Sequence, residues 1–119
     1  IKPCASVNGV DLIMEKFENM NPDLLRQVGD RIKQKYPVAV ILLAGIVEEK
    51  HVTLTSMASE EAVSKGIRAD EFLKEIADLI GGRGGGRPTL AQGRAPDAGR
   101  LNEAITKAPE IFARLAAKG

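Results

Sequence analysis

The first apolar positions of the chain alternate with polar ones, which predicts a strand preceded by a tight turn. Val7 and Val10 flank Asn8-Gly9, the residue pair favoured by two-residue hairpin turns. Apolar and polar residues then alternate through Leu12 and Met14. We therefore predict a strand that begins near Val10.

A helical pattern follows this strand. Asn21-Pro22-Asp23 combines a preferred N-cap residue with a proline suited to the first helical turn. The next apolar positions fall on one helical face; they are Leu24, Leu25, Val28 and Ile32. Pro37 predicts the end of this helix.

The longest apolar run predicts the centre of the sheet. Val38 to Val47 is continuously apolar and rich in β-branched residues, which is typical of a strand buried on both faces. The charged segment 48–50 is predicted to form a turn, and His51 to Thr55 alternates as the returning strand. Together they predict an antiparallel hairpin.

The second half of the chain is predicted to be mainly helical. Ser59 is expected to cap a short helix, and an apolar stripe from Ala69 onward predicts a longer one that ends at Gly81. Thr89 to Gln92 is expected to form a short edge strand. Asp97 is expected to cap a further helix, which Pro109 restarts.

These elements predict an α/β fold with a mixed β-sheet of about four to five strands, a central antiparallel hairpin and flanking helices. With 119 residues, 44% hydrophobic and 28% charged, we expect one globular domain over residues 1–119.

The chain does not begin with Met, so we expect a fragment of a longer protein. The lone Cys4 rules out an internal disulfide and favours a cytoplasmic origin. No apolar run is long enough to span a membrane.

The segment Gly81-Gly82-Arg83-Gly84-Gly85-Gly86-Arg87-Pro88 is the main candidate for function. Glycines let another molecule approach the main chain closely, and arginines match phosphate oxygens. Residues 81–100 contain four arginines against one acid, a net charge of +3 in a chain whose total is +1. We therefore interpret the segment as a loop that contacts an anion or a nucleic acid.

Other chemistry is not indicated. The segment lacks the Lys-Ser/Thr of a phosphate-binding loop and does not follow a strand as a dinucleotide fingerprint would. His51 is the only histidine, and we expect it to be exposed or lightly packed rather than a metal ligand. We predict no catalytic residue and no metal site. Phe17, Phe72 and Phe112 fall on apolar faces, so a nucleic acid would be bound through backbone, arginine and shape rather than an aromatic platform.

The glycine-arginine segment and the following Ala91-Gln92-Gly93 closely resemble the C-terminal globular domain of alanyl-tRNA synthetases. Val63 to Gly66, Val7 to Val10 and the predicted hairpin fit the same pattern. The resemblance implies a non-catalytic domain of alanine–tRNA ligase that binds the outer corner of tRNA, where the D and T loops meet, and so supports aminoacylation and editing. The residues it implies as RNA contacts are Lys65, Arg83, Gly84, Gly85, Gly86, Arg87, Gln92, Gly93 and Arg94.

The resemblance also implies that the parent enzyme uses ATP, magnesium and zinc, while this segment needs no cofactor. Its partner would be alanine-accepting tRNA in the cytoplasm, and a helical segment outside this chain could mediate self-association. Two alternatives remain open. DHH-type phosphoesterases and exonucleases carry a similar domain with a Gly-Gly-Gly-His motif, where this chain has Arg87. Stand-alone alanyl-tRNA editing proteins share parts of the pattern.

Overall fold

A computed structural model describes residues 2–118. Six strands form a single sheet in the order β1-β2-β3-β4-β6-β5. The strands are β1 (Ala5–Val7), β2 (Val10–Glu18), β3 (Ala39–Val47), β4 (His51–Ala58), β5 (Arg83–Gly86) and β6 (Leu90–Ala95). The helices are α1 (Pro22–Lys35), α2 (Glu60–Ser64), α3 (Ala69–Leu79) and α4 (Leu101–Lys118), the last preceded by a 3-10 turn, Ala98–Arg100.

The sheet is mixed because one helix connects two parallel neighbours. β2 and β3 run parallel, with α1 as the crossover that such a pair requires. The other neighbouring pairs are antiparallel. The α/β class with a central β3–β4 hairpin is therefore confirmed, whereas the predicted strand number of four to five is wrong.

Helices cover both faces of the sheet and create two apolar layers. On one face, α1 packs Leu25 and Ile32 against Ile41, Leu43 and other buried residues. On the other face lies the larger cluster, to which α3 contributes Phe72 and Leu73 and α4 contributes its own buried stripe. β3 is buried on both sides, as its uninterrupted apolar run predicted.

Local turn and cap signals act as expected. Asn8 and Gly9 adopt positive φ angles of 54° and 80° between β1 and β2, as a two-residue hairpin turn requires. The Asn21 side chain accepts a hydrogen bond from the Leu24 backbone N–H at 2.9 Å and caps α1. Gly81 ends α3 with a φ of 69°.

Three sequence predictions were wrong in the second half of the chain. Arg83 to Gly86 is a strand, not a loop, because it pairs with β6 along its whole length. The strand predicted at Thr89 to Gln92 begins at Leu90 and lies inside the sheet between β4 and β5. Pro109 does not restart a helix but lies within a continuous α4, whose buried stripe offsets the backbone hydrogen bond that proline cannot make.

The aromatic side chains follow the sequence prediction closely. Phe72 and Phe112 are fully buried, and Phe17 is partly buried against the α1 layer.

Among the helices of the described residues, none combines the length and the apolar character needed to cross a membrane.

Candidate nucleic-acid interface

One part of the sheet has helices on a single face only. α3 packs beneath β5 and β6, whereas α1 covers β3 and β4 on the opposite face. That opposite face is therefore open over β5 and β6. It forms a groove of about 470 Å³ whose lining includes Pro22, Thr53, Arg83, Gln92 and Arg94. We call this surface the open face.

The register explains why these side chains share the open face. Thr53 pairs with Arg94 across β4 and β6, and Arg94 pairs with Arg83 across β6 and β5. Directly paired residues project on the same side of a sheet. Gln92 lies two positions from Arg94 and so projects from the same face. Three of the residues implied by the family resemblance are thus brought together.

The outer edge of β5 offers unpaired backbone groups. Arg87 and Leu90 exchange two backbone hydrogen bonds of 2.8 and 3.2 Å, which close the hairpin around Pro88-Thr89. In an antiparallel ladder, hydrogen-bonded and non-bonded pairs alternate. The N–H and C=O groups of Gly84 and Gly86 therefore point away from β6, towards the free edge of the sheet.

The glycines of this hairpin have different physical roles. A Cβ at Gly84 would overlap the Leu73 side chain of α3, and one at Gly93 would lie 2.5 Å from the Arg83 carbonyl oxygen. A Cβ at Gly86 would lie 2.5 Å from the Leu90 carbonyl oxygen. A Cβ at Gly85, in contrast, would meet no atom within 4 Å. Packing inside the domain therefore requires glycine at Gly84, Gly86 and Gly93. At Gly85 the domain has room for a side chain, so packing does not explain the glycine there.

The arginines around the open face are not neutralised. Arg83, Arg87 and Arg94 are exposed, and none forms an ion pair within residues 2–118. Other arginines of the chain do have acidic partners: Arg68 pairs with Asp70 at 2.9 Å, and Arg114 pairs with Glu75. Guanidinium groups without protein partners are available for phosphate or 2′-hydroxyl oxygens.

Lys65 is not part of this cluster. Its Nζ donates a hydrogen bond of 2.7 Å to the Asn8 carbonyl oxygen in the β1–β2 turn. Four strands lie between β1 and β5, so Lys65 sits on the order of 20 Å from Arg83 at about 4.8 Å per strand. A ligand confined to the open face would not reach Lys65.

Sequence reasoning missed three residues near the interface. Pro22 and Thr53 line the open face, and His51 begins β4 two residues before Thr53, exposed as expected. The alternation of His51 and Thr53 placed them on one face of a strand, but only the β4–β6 register brings that face beside the arginines. Within residues 2–118 no group of three potential metal-ligating side chains comes together.

The thiol of Cys4 and the carboxyl group of Asp70 have shifted pKa values, and both lie away from the open face. Partial burial raises the pKa of Cys4, which precedes β1. A hydrogen bond from Arg68 lowers the pKa of Asp70 in the first turn of α3. Neither residue lines the groove, so both shifts belong to the scaffold rather than to the interface.

The fold is that of a known domain family. Residues 9–114 match the DHHA1 domain, and the chain belongs to this family. It is similar to the alanine–tRNA ligases of Clostridioides difficile strain 630, with 39% identity over 106 residues, and of Lachnoclostridium phytofermentans, with 41% identity over 105 residues. These alignments cover 89% and 88% of the chain but only 12% of either ligase, so the chain spans about an eighth of the curated relatives it matches.

Solved structures show the same relationship. The C-Ala domain from Aquifex aeolicus alanyl-tRNA synthetase superimposes with a TM-score of 0.81 and 27% identity, covering 95% of this chain and 99% of that domain. A DHH-domain structure from a family of ribosomal proteins has a TM-score of 0.62 over 96% of this chain and 28% of its own. Its identity is 17%, so that likeness concerns the fold alone.

Proposed function

We propose that this chain is the tRNA-binding C-terminal domain of an alanine–tRNA ligase and that it binds the outer corner of tRNA with β5 and the open face. The observation that carries the proposal is a bare glycine edge beside three arginines that form no ion pair with any residue from 2 to 118. The similarity to alanine–tRNA ligases and to a C-Ala domain supports it.

A physical account of the binding follows from the groove. The corner of tRNA exposes a flat base pair, and the side-chain-free backbone at Gly85 gives such a surface room to approach. Arg83, Arg87 and Arg94 would contact flanking phosphates and 2′-hydroxyls. Such contacts recognise the shape of the RNA, so we assign the selection of alanine tRNA to other parts of a parent ligase. We also assign catalysis, with ATP, magnesium and zinc, to those parts, and we place the parent enzyme in the cytoplasm.

The first test measures tRNA affinity as a function of salt, using fluorescence anisotropy with folded tRNA. Arg83→Ala and Arg87→Ala are each expected to weaken binding and to reduce the slope of log affinity against log salt by about one. Lys74→Ala is the matched control, because Lys74 is exposed on α3, on the other side of the sheet. Wild-type affinity and slope in both arginine variants would disprove the assignment of this edge.

The second test uses the empty space above Gly85. Gly85→Val adds a side chain that meets no atom of the domain at its Cβ, so the fold should be retained while an approaching RNA is blocked. We expect tRNA binding to fall at least tenfold with little change in the unfolding midpoint. Undiminished binding would exclude close packing of RNA on this backbone.

A competition experiment separates this proposal from the phosphoesterase alternative. A tRNA-corner binder should lose little affinity for folded tRNA when a single-stranded oligonucleotide of equal length is added. A substrate-gripping domain of an exonuclease should prefer the single strand. The likeness to a DHH domain shows fold only, so the relatives at 39% and 41% identity favour the ligase.

A further inference from the structure

A second cavity adjoins the open face at the end of β4 and β6. It has a volume of about 310 Å³, at the lower end of the range for small-ligand pockets. Its rim includes His51, Arg83 and Arg94, and its walls are the Gly81–Gly82 turn and Ala95–Pro96. We call it the His51 cavity. Arg83 and Arg94 line both this cavity and the groove of the open face.

The sheet register places the His51 ring beside the two arginines. Val52 pairs with Ala95 and Thr53 pairs with Arg94, so the next position back along β4, His51, lies opposite Pro96. Thr53 and His51 are two residues apart and project on the same side. His51 is thus a diagonal neighbour of Arg94, at a typical distance of about 7–8 Å between such positions.

The wall of the cavity is built from backbone because nothing larger fits. A Cβ at Gly82 would lie 2.5 Å from the Arg94 carbonyl oxygen and 2.8 Å from the Ala95 Cβ. Gly81 has a φ of 69°, which disfavours residues with a Cβ. Together with the buried Ala95 and the ring of Pro96, these glycines leave a low, mainly apolar surface under a polar rim.

The charged residues that line the cavity are both arginines. Arg83 and Arg94 have no acidic partner among the described residues. Arg100 lies beside the Gly81 turn, with its Nη1 3.4 Å from where a Cβ of Gly81 would be, and its Nη2 donates to the Leu79 carbonyl oxygen at 2.6 Å. Acids lie nearby but do not line the cavity: Asp97 accepts from the Gly99 N–H at 2.9 Å, Glu103 lies 3.8 Å from Arg100, and Glu48 and Glu49 lie in the turn before His51. The cavity therefore favours an anionic group beside an apolar one.

His51 also supplies the stacking ring that the core aromatics cannot. Phe72 and Phe112 are fully buried, whereas His51 is exposed at the rim. Unpaired bases of RNA are commonly held by stacking on aromatic rings, histidine included. Two guanidinium groups can bind the phosphate of a nucleotide, and the face of an imidazole ring can stack on its base.

We propose that the His51 cavity binds one nucleotide of the RNA that occupies the open face, with its phosphate on Arg83 and Arg94 and its base against the His51 ring. The volume suits a single nucleotide rather than a run of them. Because the arginines are shared, this inference rests on the proposed function and extends the interface by one subsite.

The test uses the chain itself, with cytidine 5′-monophosphate and inorganic phosphate as probes and NMR of the His51 ring and the Gly81 and Gly82 amides as readout. Cytidine monophosphate is expected to cause saturable shifts at these groups and to bind at least about fivefold more tightly than phosphate, the low end for one base-stacking contact. Equal affinity of the two probes, or no saturable shift at His51, would overturn the proposal.

Three variants sharpen this result. His51→Ala should weaken nucleotide binding at least about fivefold, and His51→Phe should retain the affinity because it keeps a ring. Lys74→Ala, on the other side of the sheet, should bind the nucleotide like the wild type. Failure of the phenylalanine variant to bind would overturn stacking. Wild-type chain that binds the nucleotide but not tRNA would disprove the proposed function instead, which keeps the two failures apart.

Discussion

The Leu73 side chain of α3 occupies the space where a Cβ of Gly84 would be. This contact joins the helix layer to the edge strand, because α3 packs beneath β5 and β6. It also means that the two adjacent glycines have different roles. Gly84 is fixed by packing from below, whereas Gly85 faces open space.

Substitution at these two glycines should therefore have unequal effects on folding. Gly84→Ala is expected to lower the free energy of unfolding by about 1–3 kcal/mol, because the added methyl group overpacks against Leu73. Gly85→Ala should change it by no more than about 0.5 kcal/mol. Urea denaturation of both variants measures the difference, and equal losses would contradict the contact.

The β3–β4 turn carries strain that can be relieved. Glu48 and Glu49 have φ angles of 53° and 59°, in the left-handed region that costs a residue with a Cβ about 1–2 kcal/mol. Glu49→Gly is expected to raise the thermal midpoint, corresponding to about 1 kcal/mol of added stability. Glu49→Ala is the control, because it removes the charge but keeps the Cβ. An equal gain from alanine would assign the effect to charge instead.

Pro109 lowers the stability of α4. It lies inside the helix, where it cannot donate a hydrogen bond to the carbonyl of Ile105. Pro109→Ala is expected to raise the free energy of unfolding by at least about 1 kcal/mol, because alanine restores the donor and the cost of an internal proline is about 3 kcal/mol. Thermal unfolding and amide exchange at position 109 test this, and a lower midpoint would show that the ring contributes packing that outweighs the lost bond.

The ion pair at the start of α3 should make stability depend on pH in acid. Arg68 donates to both carboxylate oxygens of Asp70 at 3.1 and 2.9 Å, and this hydrogen bonding lowers the pKa of Asp70. The stabilisation is therefore present above the unfolded-state pKa of about 3.9. It is lost as the pH falls through the lower pKa of the folded state.

The comparison of wild type with Asp70→Asn measures this contribution. The stability difference should be largest near pH 6 and should shrink as the pH falls through the lowered pKa of Asp70, because the wild-type side chain then becomes neutral like asparagine. A difference that grows towards low pH would have the wrong sign for a lowered pKa.

Local signals were sufficient to predict the first half of the chain. Asn8-Gly9 and Asn21 act through neighbours within three residues, and the run that forms β3 is apolar enough to be buried whatever surrounds it. β5 could not be predicted in this way. Arg83-Gly84-Gly85-Gly86 has a composition unfavourable to strands, and only pairing with β6 and contact with Leu73 make it one.

The candidate site was predictable in composition but not in arrangement. The arginine and glycine positions follow from the sequence and the family resemblance, yet the separation of Lys65 from Arg83 follows from the strand order. The cavity beside His51 depends on the pairing of β4 with β6, which joins segments about 40 residues apart. Such register cannot be deduced from alternation within either strand.

The unpaired edge of β5 has a consequence for the behaviour of the free chain at high concentration. An exposed strand edge invites pairing with another copy and hence aggregation. Antiparallel pairing of two β5 edges centred on Gly85 would set Arg83 of one copy opposite Arg87 of the other, twice over. The same two guanidinium groups that leave the edge open to an anion thus repel a second copy of the strand, and the edge can stay exposed without a covering helix.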